Sequence, residues 1–293
     1  MEDILRPLYQ ERASLSSTMG ILLIEKKYSI SDLTESFDYI LLVITNSKEQ
    51  AVHMKHYTYR GEKAALYTIN IEQVKEWLLL GSSRKLIEWL HNGKIIFDRN
   101  ENIARLKREI TEFPFAGRKL KKGLEFAKLI RRYMDGKAFF EAGHYMDAYN
   151  HIVHALHHLA RLAIIESGFY PEVTVWEQVK PIEPQIYKLY EELITSDEPL
   201  DKRLELLFLA SEFLIYSKME TGTEHFMGIL STEKELWTIG ELQEHPEIQY
   251  YAVDLTVLLE YLIDKRCLGI EKVPTKGVDL YHRLYKASQE DCV

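Results

Sequence analysis

Hydrophobic periodicity changes once along this chain, and that change limits it to a few architectures. Up to about residue 114 the apolar residues come in short β-branched runs, whereas beyond Arg118 they recur at helical spacing. Ile21-Leu22-Leu23-Ile24 and Tyr39-Ile40-Leu41-Leu42-Val43-Ile44-Thr45 are apolar at successive positions, as buried strands are. Ala64 to Ile69 predicts a third strand, ending at Asn70, which is suited to cap a helix. Glu72 to Leu90 then reads as helix with a break at Gly81-Ser82-Ser83. After the Asn92-Gly93 turn, Lys94 to Asp98 predicts a last strand.

Phe113-Pro114-Phe115-Ala116-Gly117 marks the boundary. Leu124, Phe126, Ala127, Ile130 and Met134 open a series of amphipathic helices, interrupted later at Pro181 and Pro184. The last sixty residues differ again. Ser231 to Gln243 predicts a helix, His245-Pro246-Glu247 a turn and Val253 to Lys265 a second helix. Leu268 to Val273 and Val278 to Leu284 then alternate like two strands around Pro274 to Gly277. Helix, turn, helix and hairpin is the winged-helix order. The predicted class is α+β: a mixed sheet with helices over residues 1–117, an all-helical bundle over 118–228 and a small winged helix-turn-helix over 229–293.

Composition narrows the function classes. Apolar runs such as Tyr39 to Val43 and Leu206 to Ala210 fall far short of the roughly 20 residues that cross a bilayer. The opening Met1-Glu2-Asp3 lacks the basic start of a secretory signal. A cytoplasmic protein with no membrane partner is expected. The two cysteines, Cys267 and Cys292, sit in no metal spacing and supply no disulfide framework, so neither disulfides nor Cys-based zinc is expected. The formal charge of −8 is unevenly spread. Between Arg105 and Lys137 eleven basic residues face four acidic ones.

The first domain resembles the minimal nucleotidyltransferase fold, in which a strand ends in Gly-Ser, a spacer follows and the next strand opens with Asp-x-Asp. Here the strand to Ile24 is followed by Glu25-Lys26-Lys27. With Glu25-Lys26 in the Gly-Ser place, the eleven residues Lys27 to Phe37 lead to Asp38-Tyr39-Ile40. Gly93 to Asn100 resembles the strand that closes such domains, and the helical region resembles the substrate-binding or HEPN-type bundle that accompanies them. Taken whole, the chain resembles the YgxA-like, nucleotidyltransferase-like proteins. The resemblance implies Mg²⁺ as cofactor, held by carboxylates at alternate strand positions on one side of the sheet and by a third from a neighbouring strand. Asp38 occupies the first place and is the candidate catalytic and metal-binding residue. Ile40 stands in the second place, and Ala64 to Ile69 carries no acid. Asp32 and Glu35 in the spacer are candidate stand-ins, and Lys26 and Lys27 could attract a polyphosphate as point charges. The alternative for Asp38 is a strand-edge acid held by a backbone hydrogen bond.

His151, His154 and His158 share one helical face, where they could ligate a metal or line a polar contact between helices. An RNase of the HEPN kind places a His four to six residues after an Arg. Arg161 is followed by no such His. The basic run is a candidate phosphate-binding surface, with Arg131 and Arg132 its first candidates, and the alternative is an ordinary solvated helix face. The winged-helix segment 231–288 has seven basic and ten acidic residues, which favours a protein contact or internal packing over DNA.

The expected function is therefore binding of a nucleotide or phosphorylated small molecule in the groove between the first two domains, with catalysis weakened or lost. Glu25, Lys26, Lys27, Arg131 and Arg132 are the expected ligand-binding residues. The alternative is an active Mg²⁺-dependent nucleotidyltransferase that moves a nucleoside monophosphate to a small molecule or protein.

Overall fold

The computed structural model describes residues 2–26, 34, 36–47, 52–80, 83–112 and 115–288. Two compact units divide the chain: residues 1–114 with 170–173, and residues 115–169 with 174–293.

The first unit is built on a five-stranded sheet of order β3-β4-β2-β1-β5. Its strands are β1 (Thr18–Glu25), β2 (Tyr39–Thr45), β3 (His53–Tyr59), β4 (Glu62–Asn70) and β5 (Lys94–Asp98). β2 and β4 run parallel, and the other neighbours are antiparallel. Because strand side chains alternate, each apolar strand feeds two cores. Ile21, Leu23, Leu41 and Val43 form one with Leu5 of α1 (Glu2–Ser14). Leu22, Ile24, Ile40, Leu42 and Ile44 form the other with residues of α2 (Ile71–Leu80), α3 (Arg84–Asn92) and α4 (Asn102–Glu112).

Side-chain caps set the helix starts in this unit. Asn70 Oδ1 accepts the Glu72 N–H at 2.7 Å, as its position in the sequence predicts, and Ser83 Oγ accepts the Leu86 N–H at 3.4 Å. The Asp98 carboxylate accepts the N–H groups of Ile103 and Ala104 at 3.0 and 2.9 Å. Strand β3 is absent from the sequence-based expectation. It is an edge strand, exposed along nearly its whole length, so no apolar alternation marks it. Arg60 and Gly61, with φ of 49° and 87°, turn it into β4 through a two-residue hairpin.

In the second unit α5 (Phe115–Glu141) and α6 (Tyr145–Glu166) form an antiparallel pair. Gly143, with φ 79°, ends α5; its N–H donates to Phe140 O and that of His144 to Phe139 O, the paired bonds of a left-handed C-terminal cap. α7 (Val175–Val179), α8 (Pro184–Thr195), α9 (Leu200–Ser217) and α10 (Met219–Glu233) complete the bundle. The single helix expected over 231–243 is two. α10 stops at Glu233, and α11 (Ile239–Glu244) starts from Thr238 in a capping box with Glu241. Between them the Trp237 backbone bridges Tyr285 of the hairpin. A 3₁₀ segment (Ile248–Asp254), α12 (Leu255–Asp264) and the hairpin of β6 (Leu268–Pro274) and β7 (Tyr281–Ala287) follow. Cys267 is disulfide-bonded, against the expectation from the cysteine count, which argued from the lack of a framework and overlooked a single bond. Among the described residues no helix is long and apolar enough to cross a membrane.

Candidate functional site

The sheet end formed by β1, β2 and β4 holds the residues that the nucleotidyltransferase resemblance singles out. Glu25 is exposed and pairs in register with Tyr39, and the Lys26 N–H donates to Asp38 O at 2.9 Å. Asp38 is fixed through its backbone and its side chain. Its N–H donates to Lys63 O at 2.8 Å, and its Oδ2 accepts the Lys63 N–H at 2.9 Å. This is the strand-edge hydrogen bond that the sequence left open as the alternative role. Two residues on, Ile40 is fully buried in the core beneath α2, α3 and α4. The second acid position therefore lies inside apolar packing, where a carboxylate would lose its hydration without gaining partners.

One acid escaped the sequence reading. β4 begins at Glu62, two residues before the predicted start, and brings a carboxylate to this end of the sheet. Glu62, Glu25 and Asp38 all lie near the Tyr39 hydroxyl, whose pKa burial raises first and these three charges raise further. Glu62 Oε2 is buried without a hydrogen-bond partner among the described residues. Even so, among the described residues no three His, Cys, Asp or Glu side chains are placed to hold a metal ion. The described residues alone do not supply the set of oxygens that a Mg²⁺ pair needs. Lys27, Asp32 and Glu35 lie outside the described residues.

The helical unit holds a second constellation, on the facing sides of α5 and α6. Glu125, 1% exposed, accepts from Arg161 Nη2 at 2.9 Å and lies 2.8 Å from His158 Nδ1, with Lys128 Nζ at 3.9 Å. Burial pushes the Glu125 carboxyl up, but Arg161, His158 and Lys128 outweigh it and hold it at about 2. Lys121 is 2% exposed, and burial is the main force that draws its ammonium down to about 7; Glu125 opposes the shift, while Arg161 and Lys128 add to it. Further along, His151 faces Asp135 at 3.8 Å, and His154 lies beside Arg132. The three histidines thus line a polar contact with α5. Arg131 points elsewhere: its guanidinium is ion-paired to Asp254, just ahead of α12. Arg132 is half-buried.

Three family models match the chain: one described as nucleotidyltransferase-like over residues 1–118, a YgxA-like substrate binding domain over 119–218 and a helix-turn-helix domain over 224–287. The uncharacterized protein YgxA of Bacillus subtilis (strain 168) is 50% identical over 285 residues, covering 97% of each chain. The chain belongs to the YgxA-like family of nucleotidyltransferase-like proteins. A crystal structure of a nucleotidyltransferase-like protein from Exiguobacterium sibiricum superimposes with a TM-score of 0.83 at 38% identity, covering 98% of this chain and 99% of that one. For this YgxA-like chain the nucleotidyltransferase-like fold and the helix-turn-helix region are thereby established. The buried Glu125–Arg161 pair, inside the stretch matched as a substrate binding domain, is, with Glu62, a feature that sequence reasoning missed. The signal available was a glutamate in a basic run and an arginine in the apolar stretch Leu159 to Ile165.

Proposed function

We propose that the protein binds a nucleotide or another phosphorylated ligand and that its capacity for nucleotidyl transfer is weak or lost. The observation that carries this is Ile40, fully buried where the second metal-holding acid would stand. Mg²⁺ keeps most of its waters unless several hard oxygens are fixed around it, and Asp38 is already engaged by the Lys63 N–H. Support for a phosphorylated ligand comes from the positive charge concentrated between Arg105 and Lys137, within and beside the stretch matched as a substrate binding domain. Calorimetry with ATP, GTP, CTP and UTP tests this. Saturable binding supports the proposal, and heat no greater than dilution at millimolar nucleotide contradicts it.

A second reading, an active Mg²⁺-dependent enzyme, draws on Glu25 and Glu62, which share the neighbourhood of Tyr39 with Asp38. It requires their carboxylates to converge on an ion, and the described geometry gives no such convergence. For the helix-turn-helix segment the reading is internal packing or protein contact in the cytoplasm, since several of its charged side chains are already paired. Asp254 binds Arg131, Glu260 binds Arg283 and Lys265 lies 3.8 Å from Glu212.

A further inference from the structure

The α5–α6 pair is held together by apolar side chains except along one polar seam. Two carboxylates, Glu125 and Asp135, stand there with three permanent cations, Lys128, Arg132 and Arg161, and with three histidines. A seam built to neutralise itself would match each cation with its own acid. Here Glu125 Oε1 serves both Arg161, at 2.9 Å, and Lys128, at 3.9 Å, while Oε2 serves His158.

Arg161 shows the imbalance most clearly. It is 7% exposed, it uses Nη2 on Glu125, and its Nε–H is buried with no acceptor among the described residues. A buried donor without an acceptor is uncommon in folded proteins and marks a place where a ligand can complete the bonding. One helical turn from Lys128, about 6 Å along the axis, Arg132 makes no ion pair among the described residues and sits beside the exposed ring of His154. The Lys128 side chain is 34% exposed, so an ion from solvent can reach it.

We propose that this seam is an anion seat in which Arg161, Lys128 and Arg132 bind a phosphate monoester or diphosphate group, with Glu125 as the positioning residue that orients Arg161. The planar guanidinium fork matches two phosphate oxygens at once, and the lysine adds a mobile point charge. Glu125 keeps Arg161 in place when the seat is empty, because it holds Nη2 and leaves Nε–H unused. The inference rests on the reading that this protein takes a phosphorylated ligand, and it adds the location of the phosphate.

Inorganic pyrophosphate, titrated calorimetrically into the full chain at low ionic strength, is the direct probe, with the four nucleoside triphosphates run beside it. Lys128→Ala combined with Arg132→Ala is expected to weaken pyrophosphate binding at least tenfold. Lys272→Ala, exposed on the hairpin, is expected to leave it unchanged. Arg161→Lys, which keeps the charge but loses the guanidinium plane, is expected to weaken pyrophosphate binding, read on protein that circular dichroism shows to be folded. Pyrophosphate or nucleotide binding that survives the double variant overturns the seat and leaves the proposed function standing. Binding of pyrophosphate through the seam without any nucleotide binding upholds the seat and overturns the nucleotide reading. Failure of every probe to bind overturns both.

Discussion

Glu125 and Arg161 meet at 2.9 Å with side chains only 1% and 8% exposed, joining α5 to α6 through a largely buried charge pair. Two charges removed from water stabilise a fold only while both are present. The pair therefore bears on stability as well as on ligand recognition.

Glu125→Gln is expected to destabilise the protein by about 3–5 kcal/mol, because Arg161 then keeps a buried charge without its counter-charge. Denaturant unfolding measures this, and Glu125→Leu with Arg161→Met is expected to recover most of the loss. The pair also predicts acid sensitivity. The folded-state pKa of Glu125, about 2, lies below the ordinary 4.5. Its contribution is thus complete above pH 4.5 and disappears as pH falls toward 2.

Lys121 gives the opposite slope. Burial lowers its pKa from 10.5 to about 7, so between those values the unfolded chain binds a proton that the folded chain does not. Stability contributed at this site therefore rises with pH across that window. Lys121→Met is expected to raise the melting temperature at pH 7 and to flatten that rise, which thermal unfolding from pH 7 to 10 would show.

Gly222 and Gly228 lie on one helix, α10, yet predict opposite outcomes. A methyl at Gly222 would fall 2.5 Å from Phe126 Cγ, so Gly222→Ala is expected to cost about 1–3 kcal/mol by overpacking. Nothing lies within 4 Å of the same methyl at Gly228, and Gly228→Ala is expected to stabilise by about 0.5–1 kcal/mol. Chemical denaturation of both variants separates the cases.

What the sequence made legible followed burial. β1, β2 and β5 were visible because their side chains enter cores, and the Asn70 cap because its chemistry is local. β3 was hidden by its exposure, and the Glu233 end of α10 by the helix-favouring Glu233, Lys234, Glu235 and Leu236 that lead to Trp237, whose backbone bridges Tyr285 instead. Site assignments based on charge alone were the weakest. Arg131 looked free for a ligand, but its partner Asp254 lies 123 residues away. Glu125 is one of four acids in the basic run, and only its pairing with Arg161 across the helices sets it apart. Long-range pairing of this kind leaves no periodic signature.

The helix-turn-helix segment is expected not to bind duplex DNA. Glu260 and Asp264 lie on α12, and Arg283 of the hairpin is already paired to Glu260 at 2.9 Å. Gel shifts across a salt series should show no retained complex at low salt, where phosphate contacts are strongest. A shift that weakens steeply with salt would assign the segment to DNA.

Incubation with labelled ATP, GTP, CTP and UTP in the presence of Mg²⁺ or Mn²⁺ addresses the loss of the metal-holding acids most directly. With Ile40 buried and Asp38 bound to the Lys63 N–H, incorporation is expected to stay at the level of a protein-free blank for all four nucleotides. Metal-dependent incorporation that disappears in Asp38→Asn would contradict the account.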